Sequence, residues 1–327
     1  MTTLSSTDGT DEHHLPCERA DLDGHLMPGI YVSTVAFFEP DTEDLDLATT
    51  KRHVTNLALA GVSGIVTHGS NGEAIHLSPS ERMAITAATR QTLDSLNLRQ
   101  MPILVGCGAQ STRETVELCK QGFESGGNYA LVLPPSYYRS IITTQQILDF
   151  FTDVADASPH SIIIYNFPGA TSGLDVDSEQ IIKPSHHPNI KGVKLTCGNT
   201  GKLARVVAGC DGDFITMGGS ADFLLQTLVA GGQGAIAGLA NLSPKACLRI
   251  MTLFGDGDLK EARSVQTIVA RGDWVAIKGA FAAVKSALIM FRQYGGNPRK
   301  PCELPTSEAG TKLKAELKEL MDFEDGL

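Results

Sequence analysis

From residue 29 onward one unit recurs along the chain: a short apolar run, a turn, and a segment with apolar residues at helical spacing. The apolar runs fall at 30–37, 64–69, 102–108, 129–134, 161–166, 190–195, 214–219 and 234–239. Between the first two, Leu45, Leu47, Val54, Leu57 and Leu59 carry the helical spacing. A continuous apolar run suits a strand buried on both faces, as in parallel sheets covered by helices. Eight such units over about 220 residues predict an α/β fold, a (β/α)8 TIM barrel, in preference to an open doubly wound sheet. The segment after Leu77 opens with Ser78, Pro79 and Glu81, a capping residue, a first-turn proline and the partner for a capping box. Past the eighth unit the pattern is helical only, at 243–254, 257–271, 278–294 and 307–322. The expected organisation is an acidic tail over 1–27, the barrel over 28–255, and a C-terminal helical region over 256–327.

Charge and composition narrow the partners. The 327 residues carry a net charge of −10 with His neutral, and no basic run with interleaved aromatics, so nucleic acid is not an expected partner. No apolar stretch approaches the roughly 18–20 residues that span a bilayer, so no membrane is expected either. The seven cysteines (Cys17, Cys107, Cys119, Cys197, Cys210, Cys247 and Cys302) are scattered and never form a C-x-x-C pair. That pattern fits reduced thiols in a cytoplasmic setting better than a disulfide framework. The first 27 residues hold six acidic groups against Arg19. They show neither an apolar signal core nor an Arg-rich amphipathic pattern, and read as a solvated tail. His13 and His14 are read as part of that tail rather than as metal ligands.

Lys194 stands inside the sixth apolar run, "IKGVKL", where an ammonium group is out of place. In barrels of this kind active sites sit at the carboxyl ends of the strands, and Lys194 falls near that end. Its parity with Gly192 and Ile190 aims it into the barrel mouth. A lysine amine with a pKa near 10.4 is only about 0.04% neutral at pH 7. An apolar barrel disfavours the ammonium and so prepares a nucleophile for imine formation. The competing reading is a lysine whose stem is buried and whose amine reaches solvent or a carboxylate.

Other strand ends converge on the same mouth. Strand five ends in Tyr165 and Asn166, and strand four in "PPSYYR", with Tyr137 and Tyr138. Strand two ends in Gly69-Ser70-Asn71-Gly72-Glu73, whose successive N–H groups can hold a carboxylate or phosphate. There is no H-E-x-x-H, no well-spaced His/Asp cluster and no P-loop, so no metal or organic cofactor is expected. His186 and His187 read as solvated loop residues. "GGQGAIAG" opens a strand rather than a helix, the wrong setting for a dinucleotide loop.

"GSNGE", "YNFPGATSG" and "GVKLT", with "GSADFLL" and "GGQGAIAGLAN", occur in the order and approximate spacing of the dihydrodipicolinate synthase / N-acetylneuraminate lyase family, which the chain resembles over about residues 29–300. The resemblance implies a barrel enzyme that binds pyruvate, or a 2-keto acid yielding it, as a Schiff base on Lys194. It implies a proton-shuttling role for Tyr165 and a relay hydroxyl on Ser70. The N–H groups of Ser70 and Asn71, in the turn bounded by Gly69 and Gly72, would hold the keto acid's carboxylate. Ile236 matches a pocket-lining residue. Tyr137 matches a tyrosine that family members insert into the neighbouring subunit's site, which implies a homo-oligomer, usually a tetramer. Two departures matter: Ala170 stands where the synthases carry an arginine for the aldehyde's carboxylate, and Asn71 replaces a threonine. They turn the expectation away from dipicolinate synthesis and towards the branch that cleaves 2-keto-3-deoxy sugar acids, with the branch acting on 4-hydroxy-2-oxoglutarate second. A keto-acid-binding protein without turnover remains the reading from another class.

Overall fold

The computed structural model describes residues 26–327. The expected tail, with Cys17, His13 and His14, lies outside them except for Leu26 and Met27. Leu26, assigned to the tail, packs instead with Tyr31 and Tyr129 inside the barrel.

All eight apolar runs form strands: β1 (Gly29–Ser33), β2 (Gly64–Thr67), β3 (Ile103–Gly106), β4 (Tyr129–Val132), β5 (Ile162–Asn166), β6 (Ile190–Leu195), β7 (Ile215–Gly218) and β8 (Gly234–Ala237). They pair in parallel in sequence order, and β8 closes onto β1. Helices α1 (Leu47–Leu59), α2 (Pro79–Ser95), α3 (Thr112–Glu124), α4 (Thr144–Ala157), α5 (Ser178–Ser185), α6 (Thr200–Gly209), α7 (Leu224–Val229) and α8 (Pro244–Gly255) follow the strands in turn. Ser78 caps α2 and accepts from the Glu81 N–H, while the Glu81 carboxylate accepts from the Ser78 N–H at 2.8 Å. The core has two layers, because alternate strand residues face opposite ways. Ile30, Val32, Ile65 and Val105 pack outward under the helices. Tyr31, Val66, Leu104, Ile163, Met217 and Ile236 fill the barrel.

The parity assigned to β6 needs one correction. Ile162 pairs with Ile190, but Ile163 pairs with Gly192, so Lys191 is an extra residue, a β-bulge. Ile190 therefore faces the outer layer, while Lys194 stands opposite two inward residues, Tyr165 and Met217. Lys194 points inward as expected, although Ile190 does not share its face.

Beyond the barrel come α9 (Leu259–Arg292) and α10 (Ser307–Asp325). The sequence predicted two helices broken over 272–277. The chain instead runs helical to Gly279 and breaks at Ala280, whose φ of 48° and ψ of −148° leave helical space. Contrary to the sequence expectation, α9 is long and apolar enough to cross a bilayer by length and composition. Its inward face packs on α8 and α10.

Candidate active site

The strands deliver their carboxyl ends to one rim, and the mouth loops there carry most of the residues singled out from the sequence. Lys194 is 3% exposed, and no hydrogen bond or ion pair to its ammonium is found among the described residues. The nitrogen lies 4.2 Å from the centre of the Tyr165 ring. Among the described residues no carboxylate neutralises it, which leaves the reading of a buried amine free to react. Tyr165 is itself 2% exposed, and Phe167 stacks on its ring at 5.9 Å with an interplanar angle of 20°. Its hydroxyl meets the Ser70 hydroxyl at 3.4 Å. Lysine, phenol and serine thus come together from β6, β5 and the loop after β2.

The sequence folds this way locally because each loop is tied down. Asn166, next to Tyr165, accepts from the Val176 N–H at 3.0 Å and donates to Asp175 at 2.8 Å. Lys202 of α6 binds Asp175 and donates to the Val176 carbonyl at 2.8 Å, fixing the exit of β5 to the helix after β6. Gly69 lies over Ser33, where an added Cβ would stand 2.3 Å from the Ser33 hydroxyl, and Gly72 closes the turn by donating to the Gly69 carbonyl at 3.0 Å. The Asn71 amide packs over Gly238, at the end of β8.

The remaining expected residues are placed differently. Ile236 is fully buried in the barrel interior. Ala170 ends an exposed 3₁₀ turn, Pro168–Ala170, on the rim. Tyr137 is 78% exposed and packs edge-on against Tyr138, with ring centres 5.1 Å apart, rather than folding into its own mouth. Its loop is anchored by Gln110, whose Oε1 accepts from the N–H groups of Ser136 and Tyr137 at 2.9 and 2.8 Å. His187 meets Asp156 at 2.9 Å just before the amino-terminal end of β6, opposite the rim.

Three groups near the mouth were given no role on sequence grounds. The Glu73 carboxylate accepts from Lys285 of α9 at 2.8 Å, with both side chains 0% exposed. Asp273 accepts from the Ser220 hydroxyl at 2.6 Å and from the Ala221 and Asp222 N–H groups at 2.7 and 2.9 Å. Burial raises its pKa from 3.8 to about 6. Gln266 accepts from the Leu225 N–H at 2.7 Å and donates to the Ala221 carbonyl at 2.9 Å. A lysine inside the apolar run "AAVKSALIM" was the available signal for Lys285. Nothing comparable marks Asp273 or Gln266.

A cavity of about 770 Å³ opens at the opposite, amino-terminal end of the strands, between Leu26, Lys191 and Gln233. Two of its polar side chains are spent on backbone, Asn128 accepting from the Ile103 N–H at 2.9 Å and Gln233 from the Thr216 N–H at 2.8 Å, while His160 lines it with neither ring nitrogen hydrogen-bonded among the described residues.

Fold and rim together define a closed parallel barrel with a buried lysine, a phenol and a serine gathered at the carboxyl ends of its strands. The chain belongs to the dihydrodipicolinate synthetase family, whose model matches residues 27–322. It is 56% identical to the "Probable 4-hydroxy-2-oxoglutarate aldolase, mitochondrial" of Emericella nidulans, over 91% of this chain and 96% of that one. It is 42% identical to the L-threo-3-deoxy-hexylosonate aldolase of Aspergillus niger, over 92% and 97%. A crystal structure of a dihydrodipicolinate synthase family protein from Coccidioides immitis superposes with a TM-score of 0.83 at 34% identity, covering 92% of this chain and 98% of that one.

Proposed function

We propose that the chain is a class I aldolase that splits a 2-keto-3-deoxy acid into pyruvate and an aldehyde. The observation that carries this is the Lys194 amine, buried against the ring of Tyr165 with no counter-ion among the described residues. The neutral amine attacks the C2 ketone, and loss of water gives a protonated imine. Tyr165 takes the proton of the C4 hydroxyl as the C3–C4 bond breaks and its electrons move to the imine nitrogen. The aldehyde leaves with C4 as its carbonyl carbon, the enamine is protonated at C3, and water releases pyruvate and the free amine. Ser70, 3.4 Å from the phenol, passes the proton onward, and the Ser70 and Asn71 N–H groups hold the carboxylate. The imine nitrogen is the electron sink, so the chemistry calls for no metal or organic cofactor.

Among substrates we place L-threo-3-deoxy-hexulosonate first. Its leaving fragment is an uncharged three-carbon aldehyde, which suits a rim where Ala170 offers no cation. The second reading, 4-hydroxy-2-oxoglutarate, is favoured by the higher identity of the Emericella relative. Its leaving fragment carries a carboxylate that needs a charged partner. A pyruvate-release assay on both acids tests the proposal. Release from neither would leave a binding protein and end the aldolase reading, and the larger kcat/KM names the substrate.

We propose further that Tyr137 completes the relay in a neighbouring copy. An exposed pair of tyrosines on an anchored loop fits an interface better than solvent. For the compartment we propose the cytosol, on the scattered free thiols; two relatives are named mitochondrial, and imaging the tagged full-length chain decides.

A further inference from the structure

Glu73 is an unexpected residue for the place it occupies. It ends the turn that begins at Ser70, donating its N–H to the Ser70 carbonyl at 3.4 Å, and its φ is 51°, the left-handed region that favours glycine or asparagine. The side chain leaves this mouth loop and is completely buried beneath the C-terminal segment. One carboxylate oxygen accepts from Lys285 at 2.8 Å. The other accepts from the Arg299 N–H at 3.0 Å and meets His76 Nδ1 at 3.1 Å. Lys285 also donates to the Asn297 carbonyl at 2.8 Å and lies 4.7 Å from the centre of the Phe38 ring. Burial lowers the Lys285 pKa, and Glu73 opposes that shift. A buried ion pair is a poor source of stability, since apolar residues of similar volume commonly do as well. What it supplies is a fixed geometry, here between a mouth turn and a helix 212 residues further along the chain.

We propose that Glu73 and Lys285 are positioning residues for substrate binding. By clamping the end of the turn, the pair holds the Ser70 and Asn71 N–H groups where the keto acid's carboxylate must dock. Both oxygens of Glu73 are engaged, so it holds the turn and exchanges no proton with substrate. The inference rests on the aldolase reading above.

The test is borohydride trapping of pyruvate on Lys194 across a pyruvate titration, with wild type beside Glu73→Gln/Lys285→Met. The double change removes both charges together and strands neither. Half-saturating pyruvate should rise about tenfold or more, the scale of a misplaced hydrogen bond to a carboxylate, while the fraction trapped at saturation stays that of wild type. A half-saturation point that does not move overturns the proposal. So does a loss of maximal trapping with the half-saturation point unmoved, because that marks damage to the fold rather than to carboxylate docking. Should the double variant not fold, Glu73→Gln alone carries the same comparison, since it keeps one acceptor for Lys285. If wild type itself is not trapped at Lys194, the aldolase reading fails. If it is trapped and the variants match it, only the positioning role fails.

Discussion

Lys194 and Tyr165 are directly paired across β5 and β6, and the lysine nitrogen lies 4.2 Å from the centre of the phenol ring. An ammonium over an aromatic face is attracted to it without being neutralised by it. The amine is therefore held in the barrel by a partner that it can leave when a ketone arrives. Pyruvate with borohydride should label Lys194, and peptide mapping reads the position. Lys194→Ala should remove both labelling and turnover; a label found on Lys285 instead would reassign the nucleophile.

Tyr165→Phe keeps the ring under the lysine and removes the hydroxyl that meets Ser70. Trapping of pyruvate should persist, while cleavage slows by roughly 10² to 10⁴, the range for lost general acid–base catalysis. Steady-state turnover near wild type would show that another group takes the C4 proton.

Tyr137 can be tested by mixing two inactive chains. Lys194→Ala subunits and Tyr137→Phe subunits, exchanged together, should regain part of the activity, because a mixed pair holds one site with both residues intact. Activity is read after mass spectrometry has shown exchange. Exchanged but inactive mixtures would place the tyrosine's role within its own chain.

Stability should fall in acid, with a sign that follows from four buried groups. Burial lowers the pKa of His53 to about 4, of His68 to about 3 and of His160 to about 4. The unfolded chain takes these protons near pH 6.5 and the native state refuses them, so their stabilisation is present above 6.5 and lost as pH falls towards 4. Asp273, raised from 3.8 to about 6, acts oppositely: its contribution is present below about 4 and lost as pH rises through 6. Burial raises Asp222 and Glu324 in the same direction as Asp273, so between pH 4 and 6 the three histidines less Asp273 leave at most two protons, or roughly 2.7 kcal/mol per pH unit. Urea midpoints across this range should drop with pH, more steeply in Asp273→Asn. A flat profile from pH 6.5 to 4 would contradict the buried neutral histidines.

The barrel was legible because eight apolar runs are long-range order written as local composition, and parallel strands leave few other arrangements. The lysine was legible because a charge inside such a run is anomalous. The orientation of Ile190 was not, since a bulge depends on how β6 meets β5 and leaves no mark of its own in "NIKGVKL". Lys285 offered the same anomaly as Lys194 and was passed over, because an apolar helix tolerates a snorkelling lysine in a way a central strand does not. Asp273 and Gln266 were invisible for a different reason. Their partners are mostly backbone groups on the loop after β7, and a backbone partner has no residue type to recognise.

The sheet closes upon itself with β8, and no residue beyond Ala237 enters its ladder. The loops that frame Lys194 and Tyr165 at the strand ends are another matter. Before its break at Ala280, α9 grips the loop after β7 through Gln266 and Asp273; after the break it grips the turn after β2 through Lys285. Those two loops flank the seam where β8 meets β1, so one bent helix sets the spacing of the mouth across the point where the chain's first and last strands join. Closure of the barrel and the shape of its mouth thus have separate custodians in this molecule. The strands hold the lysine and the phenol, and the residues that follow them set the shape of the opening through which a substrate reaches the pair.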